Sequence, residues 1–73
     1  NETKDCVRIL TYILFLNDVE DGGEIEFGNN DLVIKPEVGK LIIFPATWTY
    51  SYRQKYPLSN DKYIIIGGFY KFN

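Results

Sequence analysis

Hydrophobic positions in this chain fall into short runs separated by polar turns that contain Gly or Pro. Residues 6–16 (CVRILTYILFL) are apolar at almost every position and rich in β-branched and aromatic side chains. That fits a long strand buried on both faces, although periodicity alone leaves a buried helical segment open. As a strand it sets Val7, Ile9, Thr11, Ile13 and Phe15 on one face and Arg8, Leu10, Tyr12, Leu14 and Leu16 on the other. Residues 17–23 (NDVEDGG) stop it, because paired glycines supply the positive φ of a tight turn. A short strand over 24–27, with Ile25 and Phe27 inward, is followed by a turn over 28–31. Strands over 32–35 and 40–44 are separated by the Pro36–Gly39 punctuation, and Pro45 ends the second of them. Residues 47–52 alternate again, with Trp48, Tyr50 and Tyr52 on one face. A polar loop over 53–61 carries Pro57. The last strand, 62–72, is interrupted by Gly67-Gly68, which marks a bulge or a close backbone approach.

The pattern thus predicts about six strands and no convincing helix. Turn signals every 8–12 residues or so argue for an antiparallel sandwich or jelly roll. Seventy-three residues make one small domain or a piece of a larger one. Six strands in so short a chain bury little core and leave sheet edges open. A partial all-β fold is expected, with residues 1–73 forming the C-terminal part of one domain.

Composition narrows the chemistry. At 45% hydrophobic and 25% charged, the chain is globular in type, and its aromatic content of 16% suits strands. A net charge of −2 argues against a nucleic-acid or anionic-membrane surface. No apolar run reaches the ~20 residues of a membrane span. The one cysteine, Cys6, has no partner for an internal disulfide and reads as a small half-buried residue near a strand start. Asn1-Glu2-Thr3 is formally a glycosylation sequon. There is no histidine, which removes the commonest general base and transition-metal ligand and excludes an in-chain zinc site or Ser-His-Asp triad. The acidic cluster Asp18, Glu20, Asp21 and Glu24 lacks the alternating ligands of a calcium loop and reads as a solvated turn.

Five short pieces recur in a recognisable order: Arg8-x-x-Thr11, Phe15-Leu16-Asn17, Gly22-Gly23-Glu24-x-x-Phe27, Pro36-x-x-Gly39-x-x-Ile42-x-Phe44, and Lys62-Tyr63. In that order the chain resembles the prolyl 4-hydroxylase-like Fe(II)/2-oxoglutarate-dependent dioxygenases, from Arg8 to about Phe69. The resemblance implies an antiparallel double-stranded β-helix, or jelly roll. It also implies Fe(II) on a His-x-Asp pair plus a distal His, with open positions for 2-oxoglutarate and O2. Decarboxylation of 2-oxoglutarate to succinate would drive hydroxylation of a C–H bond, with ascorbate as an accessory reductant.

Carried over residue by residue, the resemblance makes Lys62 the group that binds the far carboxylate of 2-oxoglutarate; the plain alternative is a solvated lysine at a strand end. Tyr52 stands where the distal His is expected, and a neutral phenol is a poor Fe(II) ligand. Its plain reading is strand-face packing. Phe15 replaces a Tyr that would hydrogen-bond the same carboxylate, and Thr11 on the same face is placed to supply a hydroxyl instead. Arg8, on the opposite face, reads as a structural pairing residue. Glu24 reads as structural. The His-x-Asp pair would lie upstream of Asn1, so this chain alone is expected to be inactive. The alternative is a jelly-roll binding module without redox chemistry that retains a carboxylate pocket at Lys62. A third reading is a small β-sandwich interaction domain with exposed aromatics. The substrate, whether protein or small molecule, the compartment (cytoplasm by default) and the oligomeric state are left open.

Overall fold

A computed structural model of the chain describes residues 6–28 and 31–72, and of residues 49 and 50 the backbone alone. The sequon at Asn1 lies outside the described residues, as do Asn29 and Asn30 of the second turn. Among the described residues six strands form: β1 (Cys6–Phe15), β2 (Ile25–Phe27), β3 (Leu32–Ile34), β4 (Leu41–Pro45), β5 (Tyr52–Gln54) and β6 (Ile64–Phe72). They make two antiparallel three-stranded sheets, ordered β4-β1-β6 and β3-β2-β5. The chain therefore alternates between sheets: β1 in the first, β2 and β3 in the second, β4 back in the first, β5 in the second, β6 in the first.

The core lies between the sheets. Ile13 and Phe15 of β1, Ile25 and Phe27 of β2 and Phe44 of β4 form one buried cluster, flanked by Ile34, Ile42, Tyr52 and Ile64. Alternation along β1 puts Thr11, Ile13 and Phe15 inside, while Leu10, Tyr12 and Leu14 on the outer face are only half-buried. A strand buried on both faces was the expectation. The second face is not covered among the described residues, and the start of the strand, Val7 to Ile9, is exposed.

The faces also depart from strict alternation. The β1–β6 register shifts between Arg8 and Leu10, so a bulge at Ile9 turns the strand start over. Arg8 consequently lies on the face of Thr11, not on the opposite one. A Cβ on Gly68, the cross-strand partner of Thr11, would meet Arg8 Nε at 3.0 Å. The guanidinium stacks over the Tyr70 ring at 5.7 Å and donates to its hydroxyl at 3.3 Å. The irregularity expected of Gly67-Gly68 is thus in the partner strand. The glycines themselves are close approaches, since the Tyr12 ring occupies the space a Cβ on Gly67 would need.

Residues 47–52 do not form an alternating strand. Ala46–Ser51 is a 3-10 turn and only Tyr52 begins β5. Pro45 cannot donate to a ladder, and Ser51 Oγ donates back to the Trp48 carbonyl at 3.0 Å, closing the turn locally. Trp48 still reaches the core edge, its ring 5.7 Å from that of Phe27. The Tyr50 side chain lies outside the described residues.

Candidate functional site

The most connected polar feature is built where the loop after β1 meets the loop before β6. Asn17, directly beyond β1, donates through Nδ2 to the Asp61 carbonyl at 2.8 Å and accepts through Oδ1 from the Tyr63 N–H at 2.9 Å. One side chain thereby fixes the backbone on both sides of Lys62. Leu16 N–H donates to the Tyr63 carbonyl at 2.9 Å, which carries the β1–β6 pairing up to this point.

Lys62 then turns from the first sheet to the second. Its Nζ donates to the Gly23 carbonyl at 3.1 Å and to Gln54 Oε1 at 2.8 Å. An ammonium carries three donors, so one more hydrogen bond can be given. Gly23 supplies the room: a Cβ there would press on Lys62 Cδ, Pro36 Cγ and Val19 Cγ1, each at 3.3 Å, and its φ of +76° favours glycine in any case. Partial burial pushes the Lys62 pKa below the ordinary lysine value, and the charge of Glu24 pulls it part of the way back. Pieces scattered in sequence thus meet here: Gly23 accepts from the Lys62 side chain, Asn17 fixes the backbone on both sides of it, and Pro36 lies beside Gly23. Gln54 has no counterpart among the residues singled out from sequence. No local signal marked it: Gln54 shares the inward face of Ile25 only through the pairing of β5 with β2.

The same loops are stitched together elsewhere. Asp21 O accepts from Leu58 N–H at 2.8 Å, Asp18 O from Asn60 Nδ2 at 2.9 Å, and Asp18 Oδ1 from Val38 N–H at 2.9 Å. The acidic turn is thus a hydrogen-bonded framework. A polar cleft lined by Asp18, Val19, Glu20, Lys35, Pro36 and Glu37 shares Val19 and Pro36 with the packing around Gly23. Its three carboxylates against one lysine make it a poor anion site.

The other candidates are dispersed. Phe15 is fully buried in the core. Thr11 is 1% exposed, and its hydroxyl reaches no hydrogen-bond partner among the described residues. It lies four residues before Phe15 on β1, roughly 13 Å along the strand at the usual rise, so Thr11 and Lys62 are not brought to one spot. Tyr52 is an aromatic packing residue, its ring 5.8 Å from Phe27 and 5.6 Å from Phe44. With no His in the sequence and no cluster of three acidic, Cys or His side chains among the described residues, the donors of this chain do not fit Fe(II).

A second charged feature went unforeseen. Glu26 faces outward from β2 yet is 7% exposed. Arg53, its cross-strand partner, donates from Nε to Oε1 at 3.0 Å, and Lys55 Nζ lies 3.4 Å from Oε2. Burial raises the carboxyl pKa, but hydrogen bonds from Arg53 and Lys55 and their charges outweigh it, so the net shift is downward. This cluster ties β5 to β2. Comparison of the chain with protein-family models, with curated proteins and with solved structures finds no match.

Proposed function

We propose that the chain is part of a jelly-roll domain of the prolyl 4-hydroxylase-like Fe(II)/2-oxoglutarate-dependent dioxygenase type, and that its contribution is a carboxylate pocket at Lys62, not an iron centre. The observation that carries this reading is the meeting of Asn17 and Gly23 at Lys62. Two of the other sequence pieces that suggest the family thus bear on the one residue the family uses to hold a carboxylate. The alternation of strands between two sheets also supports the reading, because a double-stranded β-helix is wound in that way.

In this reading Lys62 acts as a positive point charge at the end of the sandwich. Gly23 and Gln54 hold the ammonium in place, so an incoming carboxylate meets a group whose rotamer is already set. Asn17 fixes the backbone from which it projects. Iron, when held by another part of such a domain, would supply the oxidative chemistry; the residues of this chain supply anchoring only. A pure binding module is the second reading, favoured by Tyr52, whose ring is engaged in core packing.

Isothermal calorimetry with 2-oxoglutarate tests the pocket. The chain is expected to bind the dicarboxylate, and Lys62→Ala to lose that binding while the chain stays folded. Equal affinity in the two proteins would remove Lys62 from any pocket and with it the proposal.

A further inference from the structure

Gln54 holds Lys62 with only one end of its amide. An ammonium can only donate, so the Gln54 atom that Nζ meets at 2.8 Å is the oxygen, and this bond decides which way round the amide sits. The NH2 group at the other end carries two donors and has no partner among the described residues. In a planar amide oxygen and nitrogen stand ~2.3 Å apart, which puts Gln54 Nε2 within ~5 Å of Lys62 Nζ. A second donor therefore lies beside the ammonium, on a different element. Its backbone is well held: Gln54 pairs with Ile25, the next residue, Lys55, donates its N–H to the Glu24 carbonyl at 2.9 Å, and Gly23 N–H donates to the Tyr56 carbonyl at 3.0 Å.

We infer that the Gln54 amide nitrogen is the second donor of the Lys62 site: one oxygen of a bound carboxylate accepts the remaining Lys62 Nζ–H, and the other accepts from Gln54 Nε2. This rests on the carboxylate reading of Lys62 given above, and it makes Gln54 a ligand contact as well as a support. Two donors at that separation suit the two oxygens of one carboxylate, each at ordinary hydrogen-bond length. A ligand that ends in a single hydroxyl or carbonyl engages one donor and leaves the other without a partner. The pull of the ammonium on Gln54 Oε1 polarises the amide and strengthens its N–H as a donor. Gln54 is also the one side chain hydrogen-bonded to Lys62 among the described residues. Phe15 has no donor to offer, and Thr11 lies away from the ammonium. The cations on either side of Gln54 in sequence, Arg53 and Lys55, are turned to Glu26 on the opposite face of β5. An anion arriving at Gln54 from the inner face is thus met by Lys62, through a pair of donors already set in place.

Gln54 is the only glutamine in the chain, so isotope labelling of the glutamine side chain gives one pair of amide proton signals by NMR. Titration of the unaltered chain with 2-oxoglutarate should move one proton of that pair downfield. Gln54→Met, similar in volume and without a donor, should weaken 2-oxoglutarate binding about tenfold by calorimetry, the usual effect of losing a hydrogen bond to a charged group. Lys62→Ala should abolish it. Amide signals that stay in place while 2-oxoglutarate binds would overturn the inference, because a Gln54 that merely supports the ammonium lowers affinity in the variant with its own N–H groups undisturbed. So would a Gln54→Met variant that binds as tightly as the unaltered chain. Either result leaves the Lys62 pocket standing. Equal affinity in Lys62→Ala and the unaltered chain removes the pocket itself, and the role of Gln54 with it.

Discussion

Asn17 binds the backbone of Tyr63 from across the chain: its side-chain oxygen accepts the Tyr63 N–H at 2.9 Å while its nitrogen donates to Asp61 at 2.8 Å. The two bonds bracket Lys62, and they make Asn17 a positioning residue for it. Asn17→Ala is therefore expected to lower stability by about 1–2 kcal/mol, two hydrogen bonds' worth. It should also weaken 2-oxoglutarate binding several-fold although the ammonium is untouched. Denaturant titration and calorimetry on the same variant separate the effects; full affinity at reduced stability would make Asn17 structural only.

Thr11 makes the opposite prediction. A buried hydroxyl without a partner costs desolvation that nothing returns. Replacing it by the isosteric Val is expected to raise stability by about 1 kcal/mol and to leave 2-oxoglutarate binding unchanged. A loss of stability in Thr11→Val would show that the hydroxyl is hydrogen-bonded in solution, and a loss of binding would return Thr11 to the site.

Glu26 gives the fold an acid limit. Its folded-state pKa lies below the ordinary carboxylate value because Arg53 and Lys55 favour the charged form beyond the penalty of burial. A depressed carboxyl pKa contributes stability that is fully present above the unfolded value, near 4.5. That contribution is lost as pH falls through the folded value. The stability difference between the chain and Glu26→Gln should accordingly be constant from pH 7 to about 5.5 and shrink below about 4.5. A difference that does not change with pH would mean that the ion pairs contribute nothing.

Tyr52 is expected to behave as a packing residue. Tyr52→His exchanges a phenol ring set against Phe27 and Phe44 for a smaller polar ring, and should cost about 1–2 kcal/mol. Added Fe(II) under anaerobic conditions should not restore the melting temperature, because one imidazole has no second and third donor beside it. Stabilisation of the variant by Fe(II), and not of the parent chain, would reveal a metal site this reading does not contain.

The all-β class, the number of strands and most of their positions were legible in the sequence, for a local reason. β-branched and aromatic runs bounded by Gly, Pro, Asn and Asp leave the backbone few alternatives. The inward direction of Ile25 and Phe27 followed from simple alternation. The 3-10 turn at Ala46–Ser51 did not, because alternating side chains say nothing of the hydrogen bond from Ser51 back to Trp48 or of what Pro45 forbids. The same alternation points Glu26 away from the core, and its burial under Arg53 and Lys55 needed β5 beside β2.

By itself the sequence determined the framework residues and the identity of Lys62 as the cation to examine. Which face Arg8 occupies, which polar groups surround Lys62 and whether Phe15 and Thr11 share its site were decided only by tertiary structure. One bulge at Ile9 reverses every side chain before it, since the period of a strand is two. Likewise, Asn17, Gly23, Gln54 and Lys62 lie far apart along the chain and meet only because two sheets pack face to face. Contacts of that range depend on register and sheet order, which no local pattern encodes.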